Sequence, residues 1–496
     1  MKNTIIIILV GIALSCNTVQ AQWTQVGQDI EGLAEGDKSG WSVGLSSNGT
    51  TVVVGENSHY NNGYNAGQVR VFENNNNNWE QIGQAIEEGT PGDFFGYSVS
   101  INSIGSIVAI GSPFNDDQGT NSGLVKIYEN TNGNWTQIGQ DINGGNPFDQ
   151  AGWSVSLNAE GNIVAIGSDF NGDNGNQSGQ VRIYENINGV WTQIGQNING
   201  EGGSDNSGWS VSLNNEGTIV AIGAPRNNAN GNQAGHVRIY GFNNDAWTQL
   251  GQDLDSENEY DLFGFSVSLN STGNTVAIGG PVNGENSSSS GHVRVFNYNN
   301  NIWTQVGMDI DGQEGEKLGY SVSISDYGTK VATGALTANG LENNSGLVRV
   351  YENINGTWTQ NGQDFNGETS GGYFGRSVSL NSDASQVVIG VPRRTVNGGY
   401  SGIVKVFSNN TLGVSEELKD LISIYPNPTN GILNIKTASI IDEIWIYDVL
   451  GKIMYHNQVS TNNKLLQIDI SKFKKGVYII KMQEDNLVFE TKVVKN

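Results

Sequence analysis

Cysteine is almost missing from this chain: Cys16 is the one thiol in 496 residues. Stability therefore owes nothing to disulfides within the chain. Histidine is nearly as scarce, at four residues. His59, His236, His292 and His456 share no motif, although His236 and His292 stand at equivalent places in a repeat described below. No Walker loop, zinc pair or nucleophile elbow is present, and these absences weaken the case for an enzyme. Basic residues are few: 25 Lys and Arg against 49 Asp and Glu, a formal net charge of −24. The deficit is uneven. Residues 412–496 hold ten of each sign, whereas residues 22–411 hold 14 basic and 39 acidic residues. Such a surface repels phosphate backbones and anionic headgroups, so nucleic-acid and membrane-surface partners are not expected; it favours solubility or cation binding. Past Leu14 no apolar run approaches the length of a membrane span.

What is present begins with a leader. Met1-Lys-Asn-Thr is a charged start, Ile5 to Leu14 a short apolar core, and Val19-Gln-Ala21 a small-residue cleavage site. Residues 1–21 are thus expected to be a secretory signal peptide. Cys16 after Leu14-Ser15 raises a lipoprotein alternative, but Ala13 stands where a lipobox normally has leucine. Cleavage after Ala21 leaves a mature protein without any thiol.

Tryptophan recurs at Trp23, Trp79, Trp135, Trp191, Trp247, Trp303 and Trp358, five spacings of 56 residues and one of 55. Most open the phrase Trp-Thr-Gln-x-Gly-Gln. Fixed periods of this order mark stacked or radial repeats. In one unit, Gly208 to Leu213 alternates as a half-buried strand, Asn214 to Gly217 is a turn, Ile219 to Ile222 a buried strand, and Gly235 to Tyr240 a third, before the next Trp strand. Four short strands per unit and no helical period predict an all-β chain, with a seven-bladed β-propeller over residues 22–411; propellers run to about four to eight blades. The chain opens on a lone Trp strand at 23–28, and its last unit, Phe374 to Phe407, has only three strands. The first strand is therefore expected to complete the last blade and close the ring, since an open array would leave exposed strand edges.

Phe95-Gly96…Gly111-Ser-Pro113, Phe263-Gly264…Gly279-Gly-Pro281 and Phe374-Gly375…Gly390-Val-Pro392 resemble FG-GAP repeats of integrin-type seven-bladed propellers. In that family an Asp-rich loop commonly holds calcium between the motif's halves. Here those turns read Asn102-Ser-Ile-Gly105, Asn214-Asn-Glu-Gly217 and Asn270-Ser-Thr-Gly273, too poor in carboxylates for calcium, so no such site is carried over. One run elsewhere, Asp169, Asn171 and Asp173 ahead of Gly175, mimics half a calcium loop but lacks its closing acid. Asx-Gly turn chemistry explains it more simply. No cofactor is expected, with calcium at this run as the alternative.

Two further rings emerge from the alignment of units. Arg70, Lys126, Arg182, Arg238, Arg294, Arg349 and Lys405 share a third-strand position, where they read as an anion ring or, better, as stems packed on aromatic rings such as the adjacent outer-strand Trp. Trp41, Tyr97, Trp153, Trp209, Phe265 and Tyr320 share another, broken by Arg376. These read as inter-blade core or as a face suited to sugars and proteins. Serines repeat just after them, but a nucleophile needs a base.

From Thr411 the composition turns to Lys and Ile. Tyr425, Pro426, Asn427, Pro428 and Gly431 form one phrase, Asp448, Gly451 and Lys452 a second, Gly476 and Tyr478 a third, and Lys492 to Lys495 the terminus. Alternating strands broken at Pro and Gly predict a small immunoglobulin-like β-sandwich over residues 412–496. The phrases resemble the type A sorting domain of type IX secretion. That resemblance implies export across the outer membrane, the secretion machinery as partner, and release or display at the surface of a Gram-negative bacterium. The near-identical units favour a non-enzymatic, monomeric adhesion or binding scaffold. Its extracellular protein or glycan ligand would meet the variable loops near Tyr60–Tyr64, Asn115–Asn121, Asp169–Asn176 and Asn283–Ser290. The alternative is a polysaccharide hydrolase or lyase using loop carboxylates.

Overall fold

The structure, a computed structural model, describes residues 22–60, 62–284, 288–409, 422–437, 443–448, 452–458, 465–484 and 487–495. The expected leader with Cys16, the linker at Thr411 and the sorting-phrase residue Gly451 lie outside them. The chain divides into two compact units, Met1–Asn410 and Thr411–Asn496.

In the first unit seven antiparallel sheets repeat one meander. The fourth blade is typical. Ser210–Leu213 is innermost, followed by Ile219–Ala224, His236–Asn243 and the outer Ala246–Gln249. The second strand is buried on both faces, which its Ile-Val-Ala-Ile run demands. The outer strand is not continuous as the sequence suggested. It breaks at the Gly251 turn and resumes at Leu254–Asp255, which pairs again with the start of the third strand.

The innermost strands lie side by side around an axis, and Ser377–Leu380 of the seventh blade meets Ser42–Leu45 of the first. The seventh blade takes its outer strand from the N-terminus: Trp23 pairs with Asn409, and Ile30 with Val404. A circle of identical bonds reinforces the closure. Ser42 Oγ donates to Gly96 O of the next blade at 2.9 Å, Ser210 to Gly264 O at 2.8 Å, and Ser377 returns to Gly40 O at 3.0 Å. These serines are bolts between blades, which accounts for their recurrence. The close approach also explains the glycine near the end of each second strand: a Cβ on Gly167 would stand 2.0 Å from Gly208 O, and one on Gly223 2.0 Å from Gly264 O.

The second unit is a two-sheet sandwich. Ile422–Tyr425, Ile432–Thr437 and Leu465–Asp469 form one sheet; Glu443–Asp448, Ile453–Gln458, Gly476–Glu484 and Leu487–Lys495 form the other. Leu433, Ile435, Ile446, Ile480 and Val493 are sealed between them. The architecture is immunoglobulin-like.

Candidate functional site

Each innermost strand begins with the aromatic position of its repeat, so the fold delivers seven side chains to one end of the axis. Trp41, Tyr97, Trp153, Trp209, Phe265, Tyr320 and Arg376 surround an axial cavity of about 630 Å³. The rings are half-buried and touch in sequence. Tyr97 and Trp153 centroids are 4.8 Å apart, Trp153 and Trp209 4.9 Å, Trp209 and Phe265 5.2 Å, and Phe265 and Tyr320 4.8 Å. Arg376 closes the circle, 4.3 Å from the Trp41 ring centre and 5.3 Å from that of Tyr320. The sequence posed inter-blade core against an open face; the ring is both, packed in tilted pairs between blades and open toward the cavity. Among the described lining residues the charged groups are Lys317 and Arg376, and no Asp, Glu or His is present.

Residues just ahead of two of the variable loops, Phe114 and Pro281-Val282, reach this end, although none of the loop residues named above is in the described lining. Leu262, Pro281, Val282 and Lys317 line the same cavity, and Phe114 packs on both Tyr97 and Trp153. Tyr60 and Tyr64, in T-shaped contact at 5.5 Å, line a separate cavity of about 730 Å³ with Lys38 and Tyr400. Burial pushes the Tyr97 hydroxyl pKa well above its ordinary value.

A buried acid that the sequence reading missed shapes these loops. Asp37, Asp93, Asp149, Asp205 and Asp261 recur every 56 residues, and Glu316 takes the sixth place. Asp93 Oδ2 accepts from Thr90 N at 2.8 Å and from Asn115 Nδ2 at 3.1 Å, clasping two loops together. Asp149 does the same with Asn146 N and Asn171. In the first blade His59 replaces the asparagine, its Nδ1 2.8 Å from Asp37 Oδ1. Burial disfavours the His59 cation, but that hydrogen bond and the charges of Asp37, Glu56 and Glu87 outweigh it and raise its pKa. The 56-residue spacing was the available signal, hidden because the intervening loop residues vary.

Asp169, Asn171 and Asp173 serve different ends. Asn171 is held by Asp149 and accepts from Asp173 N at 3.0 Å, an Asx turn, while Asp173 accepts from Gln180 at 2.9 Å. Asp169 is fully buried, with neither carboxylate oxygen hydrogen-bonded, and burial raises its pKa well above the carboxylate range. It stands where Pro113, Pro225 and Pro281 stand in other blades.

The cation ring lies on the third strands, away from the axis. Arg70 Nη2 donates to Glu31 O of the preceding blade at 2.7 Å, Arg182 to Asn143 O at 2.9 Å and Arg238 to Asn199 O at 2.8 Å. Arg70 also pairs with buried Glu56, Arg349 with Glu316 and Asp364, Lys126 with Glu88, and Lys405 with Asp29 and Glu368. It is the guanidinium groups, not the stems, that lie over aromatic rings, those of Phe72, Tyr184, Tyr240 and Phe296 two places along their own strand rather than the outer Trp. These cations fasten blades.

In the C-terminal unit the first and last of the phrases meet. Asn427 Nδ2 donates to Lys492 O at 2.8 Å and its Oδ1 accepts from Val494 N at 2.9 Å. Thr429 bridges Lys495. The Tyr425-Pro426-Asn427-Pro428 turn thus grips the terminal strand. Tyr478 Oη donates to Lys474 O at 2.9 Å, fixing the corner that enters the strand after Gly476. Gly431 sits where a Cβ would be 3.0 Å from Ser471. Asp448 ends the strand Glu443–Asp448, Lys452 precedes Ile453–Gln458 and is exposed, and Lys492 is exposed whereas Lys495 is buried.

Residues 423–496 match the secretion system C-terminal sorting domain, and residues 85–128 match the FG-GAP repeat. No curated protein matches the chain. Similar solved structures include a candidate 6-phosphogluconolactonase from Bacteroides uniformis, 10% identical over 67% of this chain and 87% of that one, with a TM-score of 0.47. Another is the Dos1 propeller, 11% identical over 79% and 95%, with a TM-score of 0.43. Both overlaps are too loose to bear on activity, and the ring is established by its own strand pairing. No helix of the described residues is long and apolar enough to cross a membrane. The chain is a seven-bladed β-propeller with an FG-GAP repeat, followed by a type IX sorting domain that directs it to the outside or the outer surface of a Gram-negative cell.

Proposed function

We propose that the mature protein is a binding protein without turnover, and that its ligand is a neutral extracellular glycan seated in the axial cavity and gripped at its margin by the variable loops. The observation that carries this reading is the ring of six half-buried aromatic side chains around a cavity of about 630 Å³. Aromatic faces match the apolar faces of sugar rings, and rigid aromatics give contact area at small entropic cost. The acidic exterior disfavours polyanions, while the cavity has only Lys317 and Arg376 as charged lining among the described residues. Glycoside hydrolysis needs two carboxyl groups about 5 to 10 Å apart across the bond. Among the described residues the cavity lining supplies none, and Asp169 is sealed from solvent. A glycan array with the mature protein, run beside a reducing-sugar release assay, tests the proposal. Retention of a neutral glycan with no sugar released is the expected result. Release abolished by one carboxylate substitution would replace this reading with an enzyme.

A further inference from the structure

His236 and His292 open the third strands of the fourth and fifth blades, each fully buried, and neither ring nitrogen of either makes a hydrogen bond. His236 Nδ1 faces carboxylates on three sides: Glu201 Oε2 at 4.0 Å, Asp253 Oδ2 at 3.9 Å and Asp255 Oδ1 at 3.9 Å. All three acids are partly exposed, so solvent reaches the oxygens but not the imidazole. His292 repeats the arrangement 56 residues on, with Asp309 Oδ2 at 3.3 Å and Asp311 beside it. A buried imidazole without a hydrogen-bond partner is costly, and here it is directed into an acidic cluster.

We propose that these are two related sites for a divalent transition metal of the zinc type, one held by His236, Glu201 and Asp253 and the other by His292, Asp309 and Asp311. They share the histidine and the first aspartate and differ in the third ligand, because Glu257, the counterpart of Glu201, is paired with Arg294. Ligand atoms in each group already lie within 4.8 Å of one another. Around one zinc ion they stand about 3 to 3.5 Å apart, and rotation of the half-exposed carboxylates supplies the difference. An imidazole among the ligands selects a borderline metal over calcium. The blades themselves give an internal comparison. Where Gln180 replaces the histidine, Asn197 and Asn199 replace both aspartates, and where Leu124 or Leu347 replaces it, Asn143 or Asn366 replaces one. The seventh blade departs from this, keeping Asp29 and Glu31 opposite Ile403, and there Asp29 is paired with Lys405. The third cluster, Asp37, Glu56 and His59, differs in its histidine, which is bonded to Asp37. An acid is paired with arginine in all three, Glu56 with Arg70, Glu201 with Arg238 at 3.5 Å and Asp309 with Arg294 at 3.6 Å, so zinc would share these carboxylates with the arginines. Glu201 follows the outer strand of the third blade, so metal at the first site would join that blade to the fourth.

The test is calorimetric titration of zinc into chelator-stripped mature protein, with melting temperature followed in parallel. Two zinc ions per chain and a raised melting temperature are expected. His236→Gln and His292→Gln, which place the residue of the third blade at these positions, should each remove one ion, and the double variant both. If a histidine variant does not fold, Asp253→Asn, matching Asn197, should remove the first ion alone. Absence of saturable zinc uptake, or uptake unchanged in these variants, overturns the proposal.

Discussion

The second glutamine of the Trp-Thr-Gln-x-Gly-Gln phrase acts across a blade boundary. Gln28 donates to Trp79 O at 2.8 Å and accepts from Trp79 N at 3.1 Å, and the pattern repeats to Gln363, which grips Trp23 across the ring closure. Met308 is the exception. It is exposed, and Trp358 beyond it is half-buried while the other six repeat tryptophans are 2–3% exposed. Met308→Gln should restore the latch and stabilise the protein by about 1 kcal/mol, since two neutral hydrogen bonds replace an exposed apolar chain. Urea unfolding and quenching of Trp358 fluorescence check this; an unchanged midpoint refutes it. Asp169 gives a second prediction. Its folded-state pKa is raised, so the folded state holds a proton the unfolded chain has released, and stability must fall as pH rises above the ordinary carboxylate range. Thermal melts from about pH 5 to about pH 8 should therefore decline more steeply for wild type than for Asp169→Asn. Equal slopes would show that the carboxyl is not held protonated. Neither residue was legible for its role. Sequence periodicity marks Gln28 and Met308 as equivalent, but not that their partner lies in the next blade.

At the scale of elements, the strands, their order and the closing strand were readable, because each depends on local alternation and turn residues. The break in the outer strand was not: a Gly-Gln turn within a polar run resembles a continuing loop until its second half pairs. Trp23 lies in the core of the last blade and pairs with Asn409. Deleting residues 22–30 should lower the unfolding free energy by about 3–5 kcal/mol or more, the usual cost of losing a buried tryptophan, with the outer pairing lost as well. A deletion variant melting with wild type would contradict the closure. The sorting phrases were legible as phrases, whereas their contact was not, because Asn427 and Val494 meet only through the fold. Asn427→Ala removes both bonds to the terminal strand and should destabilise the sandwich by about 1–3 kcal/mol. Removing residues 490–496 deletes Val493 from its core. A passive fluorescent cargo with a signal peptide ahead of it and residues 412–496 behind it should reach the cell exterior in a host with type IX secretion. With Asn427→Ala it should do so less, and with the truncation it should stay in the periplasm. Undiminished export of the truncated fusion would contradict this role for the strand.

At the scale of the molecule, near-identical repeats give a rigid ring whose serine, glutamine and arginine contacts are all spent holding blades together. Apart from the two histidine clusters, what stands open among the described residues is the aromatic end of the axis. The aromatic positions were visible in the sequence, yet their exposure was not, because period-2 alternation assigns a residue to a face without saying whether that face is covered. The central claim is that this end binds a neutral glycan. It is tested most directly by titrating the glycan selected on the array into wild type and into Trp153→Ala and Trp209→Ala, with folding verified by melting temperature. Each substitution should weaken binding by about 10-fold or more, the effect of losing one well-placed aromatic stacking contact. Unchanged affinity in both folded variants would place the ligand elsewhere and contradict the account.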